Sequence, residues 1–242
     1  MSFFYVFNTR KLKKFLVGGV IALSAIIVFC FTFFVGRGGT VPTAAGENKA
    51  IYRGNAENNN VSLMINVYWG NEYIEQMLDV IEKNNIKATF FVGGSWVKKN
   101  PELFKKIAAS GAEIGNHGYN HKDSAKISES QLRDEIVRTN QIIEELSGIK
   151  CTLFAPPSGS VDEKTLEVAG ELGMNVIMWS KDTIDWRDSQ EALVYQRATE
   201  NVQNGDLILM HPTAHTLSAL QNIIDELKGK GFNLTDVTTN IK

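Results

Sequence analysis

At 242 residues the chain has room for one large domain or two small ones. Its composition, 43% hydrophobic and 21% charged, is that of an ordinary globular protein. A formal net charge of −2 gives no electrostatic reason to expect nucleic acid as a partner. Two cysteines, Cys30 and Cys151, are too few for a metal site built from thiolates.

The charges near the start are unevenly placed. Arg10, Lys11, Lys13 and Lys14 precede residues 15–35, which carry no charge at all. A membrane-spanning helix needs about 20 apolar residues. The run therefore predicts one transmembrane helix over 15–35, with residues 1–14 as a basic cytoplasmic segment and the rest of the chain outside the cell membrane. A cleaved leader is the competing reading, with Thr43-Ala44-Ala45 as its exit, although the apolar core of such a leader usually has about 7–15 residues. Cys30 lies inside this run and has no plausible pairing with Cys151. Residues 36–57 read as a linker rich in glycine and polar side chains.

From residue 58 a regular alternation begins. Val61 to Val67 reads as a buried strand, and Glu72 to Lys83 as an amphipathic helix with Ile74, Met77, Leu78 and Ile81 on one face. Ala88 to Val92 is the next strand, and Pro101 opens a helix running to Ser110. Glu113 to Asn116 is a short strand. Ser128 with Gln131 forms a capping box for a long helix that ends near Gly148. Leu153 to Ala155 is a strand stopped by Pro156 and Pro157, followed by a helix over Asp162 to Leu172. A strand at Asn175 to Trp179, a helix from Gln190 to Asn201, a strand at Leu207 to Met210, a helix from Leu217 to Lys228 and a last strand within Phe232 to Val237 complete the chain. This alternation predicts a parallel α/β architecture, an open sheet or a barrel, with its chemistry at the C-terminal ends of the strands.

The four histidines fall in two pairs at two such ends. His117 and His121 follow the strand at Asn116, and His211 and His215 follow Leu207 to Met210. Histidine is the side chain best suited to hold a metal or move a proton near neutral pH. A single histidine is more often a satisfied polar position, but two pairs at two strand ends favour a site. His215 reads as a surface residue at a helix start. Tyr68, Trp69 and Trp96 suit either a sugar-binding groove or core packing.

The residues that carry a family resemblance are His117-x-x-x-His121, Asp182-Thr183-Ile184-Asp185-Trp186, Leu207-Ile208-Leu209-Met210-His211 and the spacer Lys87-Ala88-Thr89-Phe90-Phe91-Val92. With these, residues 58–242 resemble the NodB-homology polysaccharide deacetylases, carbohydrate esterase family four, and in particular the membrane-anchored peptidoglycan deacetylase-like proteins of spore formers. The resemblance implies an irregular (β/α)7-type barrel and a metal-dependent hydrolase that removes acetyl groups from N-acetylated cell-wall glycan. It implies a divalent metal, zinc above all, on His117 and His121. It makes His211 the general acid and Asp185 that histidine's carboxylate partner. Trp186 and Leu209 become walls of the acetyl pocket, and the Ser158 backbone N–H a donor to an oxyanion.

Two family motifs are altered. Where members carry Thr-Phe-Asp-Asp-Gly, this chain has Met64-Ile65-Asn66-Val67 and then Tyr68-Trp69-Gly70. The catalytic base falls on Asn66 and the third metal ligand on Val67. Where members carry Arg-Pro-Pro-Tyr, the chain has Ala155-Pro156-Pro157-Ser158. An asparagine amide has no usable basicity near neutral pH, and valine offers a metal no donor. An arginine buried without its carboxylate would be costly, so alanine at 155 fits the loss of the acid. Two readings follow: a hydrolase with altered chemistry, or a pseudoenzyme that binds glycan or scaffolds at the cell surface.

Overall fold

A computed structural model describes residues 49–242. The basic segment and the apolar run expected to span the membrane lie outside the described residues. Among the described residues, no helix is long and apolar enough to cross a membrane.

The elements follow in order. They are β1 (Asn60–Val67), α1 (Asn71–Lys83), β2 (Thr89–Val92), α2 (Gly94–Lys99), α3 (Pro101–Ala109), β3 (Glu113–Asn116), α4 (Glu129–Ser147) and β4 (Leu153–Phe154). Then come α5 (Glu163–Glu171), β5 (Asn175–Val176), β6 (Lys181–Asp182), α6 (Glu191–Thr199), β7 (Leu207–Met210), α7 (Ala214–Gly229), β8 (Asn233–Leu234) and α8 (Val237–Asn240). Short 3-10 turns occupy Ser124–Lys126 and Pro157–Gly159.

All strand pairs are parallel, in the order β5-β4-β3-β2-β1-β7-β6, with β8 beside the start of β1. Among the described residues β5 and β6 do not pair, so the sheet is an open half-barrel. The segment after Ala50 lies in the gap. Ile51 N–H donates to Val176 O, and Met178 N–H to Ile51 O, both at 2.8 Å. Arg53 pairs with the buried Asp206 at 2.9 Å. Residues 51–54, which the composition placed in the linker, are therefore built into the domain.

The strand pleat divides the interior. Val61, Leu63, Ile65 and Val67 of β1 join the core beneath the helices with Phe90, Val92, Ile208 and Met210. Met64 points the other way and packs with Phe91, Leu153, Ala155, Ile177 and Leu207. A third cluster, Leu132, Ile136, Phe154, Val168 and Val176, seats α4 and α5. Central strands of such a sheet are apolar on both faces because helices cover one side and the barrel interior the other. The polar exception at the end of β1 is Asn66, which is buried.

Helix ends follow the sequence signals closely. Ser128 Oγ accepts the Gln131 N–H at 3.3 Å while Gln131 Oε1 accepts the Ser128 N–H at 3.0 Å. Gly148 closes α4 at φ 72°. Such a box contributes on the order of 1 kcal/mol. Asp162 and Thr213 cap α5 and α7 by accepting the Thr165 and Thr216 N–H groups, so α7 begins earlier than Leu217.

Candidate functional site

Parallel strands deliver their C-terminal ends to one side, and there a cleft of about 320 Å³ opens. Asn66, Tyr68, Trp69, His117, His121, Ser158, Gly159, Trp179, Asp182, Trp186, Leu209 and His211 line it. Residues at or after the ends of six strands, β1, β3, β4, β5, β6 and β7, thus converge. They include every site residue expected from the sequence except Asp185, which stands directly behind His211.

Gly70 makes part of this convergence possible. Its φ is 80°, and a Cβ there would fall 2.0 Å from Pro212 O. Only glycine lets the β1–α1 loop lie this close to the β7–α7 loop. The contact lays Trp69 parallel to the His211 ring, with centroids 5.7 Å apart and an interplanar angle of 8°.

His117 is buried, and its Nδ1–H donates to Ala155 O at 2.8 Å. That bond leaves Nε2 as the nitrogen with a lone pair. Burial, with help from neighbouring His121, pushes its pKa down to about 3. The ring is therefore neutral at ordinary pH. His121, 4.9 Å away between centroids and edge-on, is also lowered, chiefly by burial. Buried Glu135 of α4 ties down the loop between the two histidines. It accepts the Asn120 N–H at 2.5 Å and the Asn120 side-chain amide at 2.9 Å.

The opposite wall holds a second arrangement. Asp185 Oδ1 accepts His211 Nδ1–H at 2.7 Å, and Oδ2 accepts the His211 backbone N–H at 2.6 Å and the Thr216 hydroxyl at 2.5 Å. Burial works to raise the Asp185 carboxyl, but these donors outweigh it and hold the group below the usual carboxylate range. His215 is a half-buried part of this arrangement rather than a surface residue, because its Nε2 bonds Asp185 O at 2.7 Å. Its position four residues after His211, at the second residue of α7, was the available signal.

Trp186 and Trp69 are 56% and 45% exposed, so neither is core, whereas Trp96 is buried and bonds Asn71. Leu209 is a buried part of the cleft wall. Ser158 has φ 56°, a left-handed conformation unusual for a non-glycine residue. Trp179 was not legible as a site residue. It reaches the cleft beside Gly159, whose added Cβ would meet the ring at 2.6 Å.

Comparison with known proteins now bears on these residues. A family profile for polysaccharide deacetylase matches residues 53–177. The chain belongs to the polysaccharide deacetylase family. It is 44% identical over 192 residues to the Bacillus subtilis protein YlxY, covering 79% of this chain and 60% of that one. It is 36% identical over 165 residues to a peptidoglycan-N-acetylglucosamine deacetylase of Bacillus cereus, covering 66% of this chain and 60% of the relative. The chain thus spans about six tenths of the length of both. Among solved structures, a CE4 family pseudoenzyme from Bacillus anthracis superposes with a TM-score of 0.79 at 38% identity, covering 81% of this chain and 69% of that one. A mutant of that pseudoenzyme with restored enzymatic activity gives the same TM-score at 37% identity, over 81% and 72% of the two chains.

The family is generally metal-dependent. The residues of this chain do not fit the metal well. His117 and His121 supply two neutral nitrogens, and among the described residues no group of three His, Cys, Asp or Glu side chains is placed to hold an ion. Val67 does not line the cleft and packs with Leu63 and Ile65 under the helices. Asp123 is engaged by Lys126. Two neutral imidazoles without a carboxylate fall short of the three protein ligands of a catalytic zinc site.

Proposed function

We propose that this chain is a membrane-tethered member of the polysaccharide deacetylase family that binds N-acetylated cell-wall glycan without hydrolysing it. The observation that carries the reading is the asymmetry of the cleft. Its Asp185–His211 side and its aromatic walls are complete, while the opposite side offers Asn66 and no carboxylate. Amide hydrolysis needs a group that takes a proton from water, and a carboxamide does not do so near neutral pH. Sugar binding needs exposed aromatic faces and polar edges, which Trp69, Trp186 and Asp182 provide. The basic residues before the charge-free run at 15–35 support a membrane anchor with the domain outside the cell.

The intact Asp185–His211 pair favours a second reading, a weak hydrolase of altered chemistry. The two readings differ in what a chelator does. For the full-length protein, the dissociation constant for an N-acetylated chito-oligosaccharide, measured by calorimetry, is expected to change by less than about twofold when EDTA is added, a shift under ~0.5 kcal/mol. Loss of binding on chelation would overturn the proposal.

A further inference from the structure

We infer that a second groove, sharing Tyr68 and Trp69 with the cleft, holds a short peptide carried on the bound glycan, one with both a free carboxylate and a free ammonium. The inference rests on the glycan-binding reading and adds the part of the ligand that lies outside the cleft.

The groove has a volume of about 430 Å³. Trp69 and Gly70 after β1, Asn71 and Glu72 of α1, and Trp96 and Lys99 of α2 line it. Tyr68 and Trp69 also line the cleft, so the two cavities adjoin across one aromatic wall. Trp69 keeps 45% of its surface exposed although its ring lies parallel to His211.

The uncharged polar groups in this wall are already satisfied. Asn71 Oδ1 accepts the Trp96 indole N–H at 2.7 Å, Asn71 Nδ2 donates to Asn100 Oδ1 at 2.8 Å, and Asn100 Nδ2 donates to Trp96 O at 3.0 Å. The Tyr68 and Ser95 hydroxyls bond each other at 2.5 Å. These bonds tie the start of α1 to the end of α2 and fix the shape of the groove. Two charged groups are left over. Among the described residues, neither the Glu72 carboxylate nor the Lys99 ammonium makes a hydrogen bond or an ion pair. Other charges on α1 and α3 are matched, Lys106 with Glu75 at 2.7 Å and Lys105 with Glu102 at 2.9 Å.

Glu72 lies in the first turn of α1 and Lys99 in the last turn of α2, where each sign suits its helix dipole. That accounts for each charge at its own helix end. The groove still presents one anion and one cation that do not neutralise each other, beside an exposed indole. Glu72 repels a purely anionic ligand and Lys99 a purely cationic one. A neutral sugar leaves both without a partner. A zwitterionic peptide answers both charges and lays its aliphatic parts on Trp69. Cell-wall glycan bears short peptides of this kind along its sugar backbone, so one ligand fills both cavities.

The test is calorimetry on the full-length protein with two probes. One is a tetrasaccharide of alternating N-acetylglucosamine and N-acetylmuramic acid. The other is the same tetrasaccharide carrying a lysine-containing tetrapeptide on each muramic acid. Each exposed ion pair contributes up to about fivefold in affinity, so wild type is expected to bind the peptide-bearing probe about tenfold more tightly. Salt should narrow that difference. Lys99→Ala and Glu72→Gln, both at exposed positions, should each remove about threefold of the preference. The Glu72→Gln loss should vanish with a probe whose lysine amine is acetylated, and the Lys99→Ala loss with one whose peptide carboxylates are amidated. A charge that serves only its own helix shows no such coupling. Equal affinity of wild type for the two probes, or losses that persist unchanged on the capped probes, would overturn the inference and leave glycan binding standing. Binding of neither probe would remove both.

Discussion

Acidification from pH 6.5 to about 3 is expected to cost on the order of 4 kcal/mol of folding stability through His117 alone. The ring titrates near 6.5 when unfolded and near 3 when folded, because burial disfavours the imidazolium. Between those values the unfolded chain binds a proton that the folded chain refuses. Stability therefore rises with pH across the window and falls as the medium is acidified. At about pH 5 the loss should already be about 2 kcal/mol. His121, lowered in the same direction, adds to it. Urea unfolding at about pH 7 and about pH 5 measures the difference. His117→Asn retains a donor for Ala155 O and has no proton to gain, so its loss over the same interval should be smaller by about 2 kcal/mol. Equal losses in the two proteins would show that His117 is not the buried neutral base described here.

Asp185→Ala is expected to destabilise the protein by about 3–5 kcal/mol, the range found when one partner of a buried charged network is removed. The side chain is fully enclosed and satisfies the His211 backbone N–H, the His211 ring and the Thr216 hydroxyl. Alanine leaves those donors facing a void. Asp185→Asn keeps the shape but turns one acceptor into a donor, and its loss should lie between wild type and alanine. The depressed carboxyl also gives a pH signature. Its contribution is present above the unfolded value near 3.8 and fades as pH falls through the lower folded value. This loss lies on the acid side of the His117 effect. Chemical denaturation at neutral pH gives the size of the first effect. A change below about 1 kcal/mol for alanine would mean that water replaces the carboxylate and that the network is not structural.

Much of the architecture was legible because apolar periodicity and punctuation agreed. Glu113–Asn116 and Leu207–Met210 fall where expected, and Ser128 and Gly148 bound α4 as the capping signals require. The misses have physical causes. Helix α2 begins after Gly93 and is six residues long, too short for a 3.6-residue pattern. Gly93, its N-cap, and Gly94, its first residue, are explained by Tyr68 and Tyr119, which leave no space for a Cβ. Strand β6 is two residues long and exists because β7 is there to pair with it. Ile51 and Arg53 sit in a polar, glycine-containing stretch, and only the gap between the sheet edges β5 and β6 gives them partners.

The site was readable in its residues but not in its facing. The family resemblance named His117, His121, Asp185 and His211, and the structure places the three histidines on one cleft with Asp185 behind His211. The resemblance could not show that the pleat of β1 turns Asn66 toward the cleft and Val67 away from it. That alternation changes the meaning of the altered motif. One of its two positions faces the cleft, and the other belongs to the core.

The most direct measurement is acetate release from N-acetylated glycan by the full-length protein with zinc supplied, run beside a His211→Ala control. Acetate no higher than in that control, alongside measurable binding of the same glycan, is the predicted result. Acetate formation that depends on both zinc and His211 would contradict it.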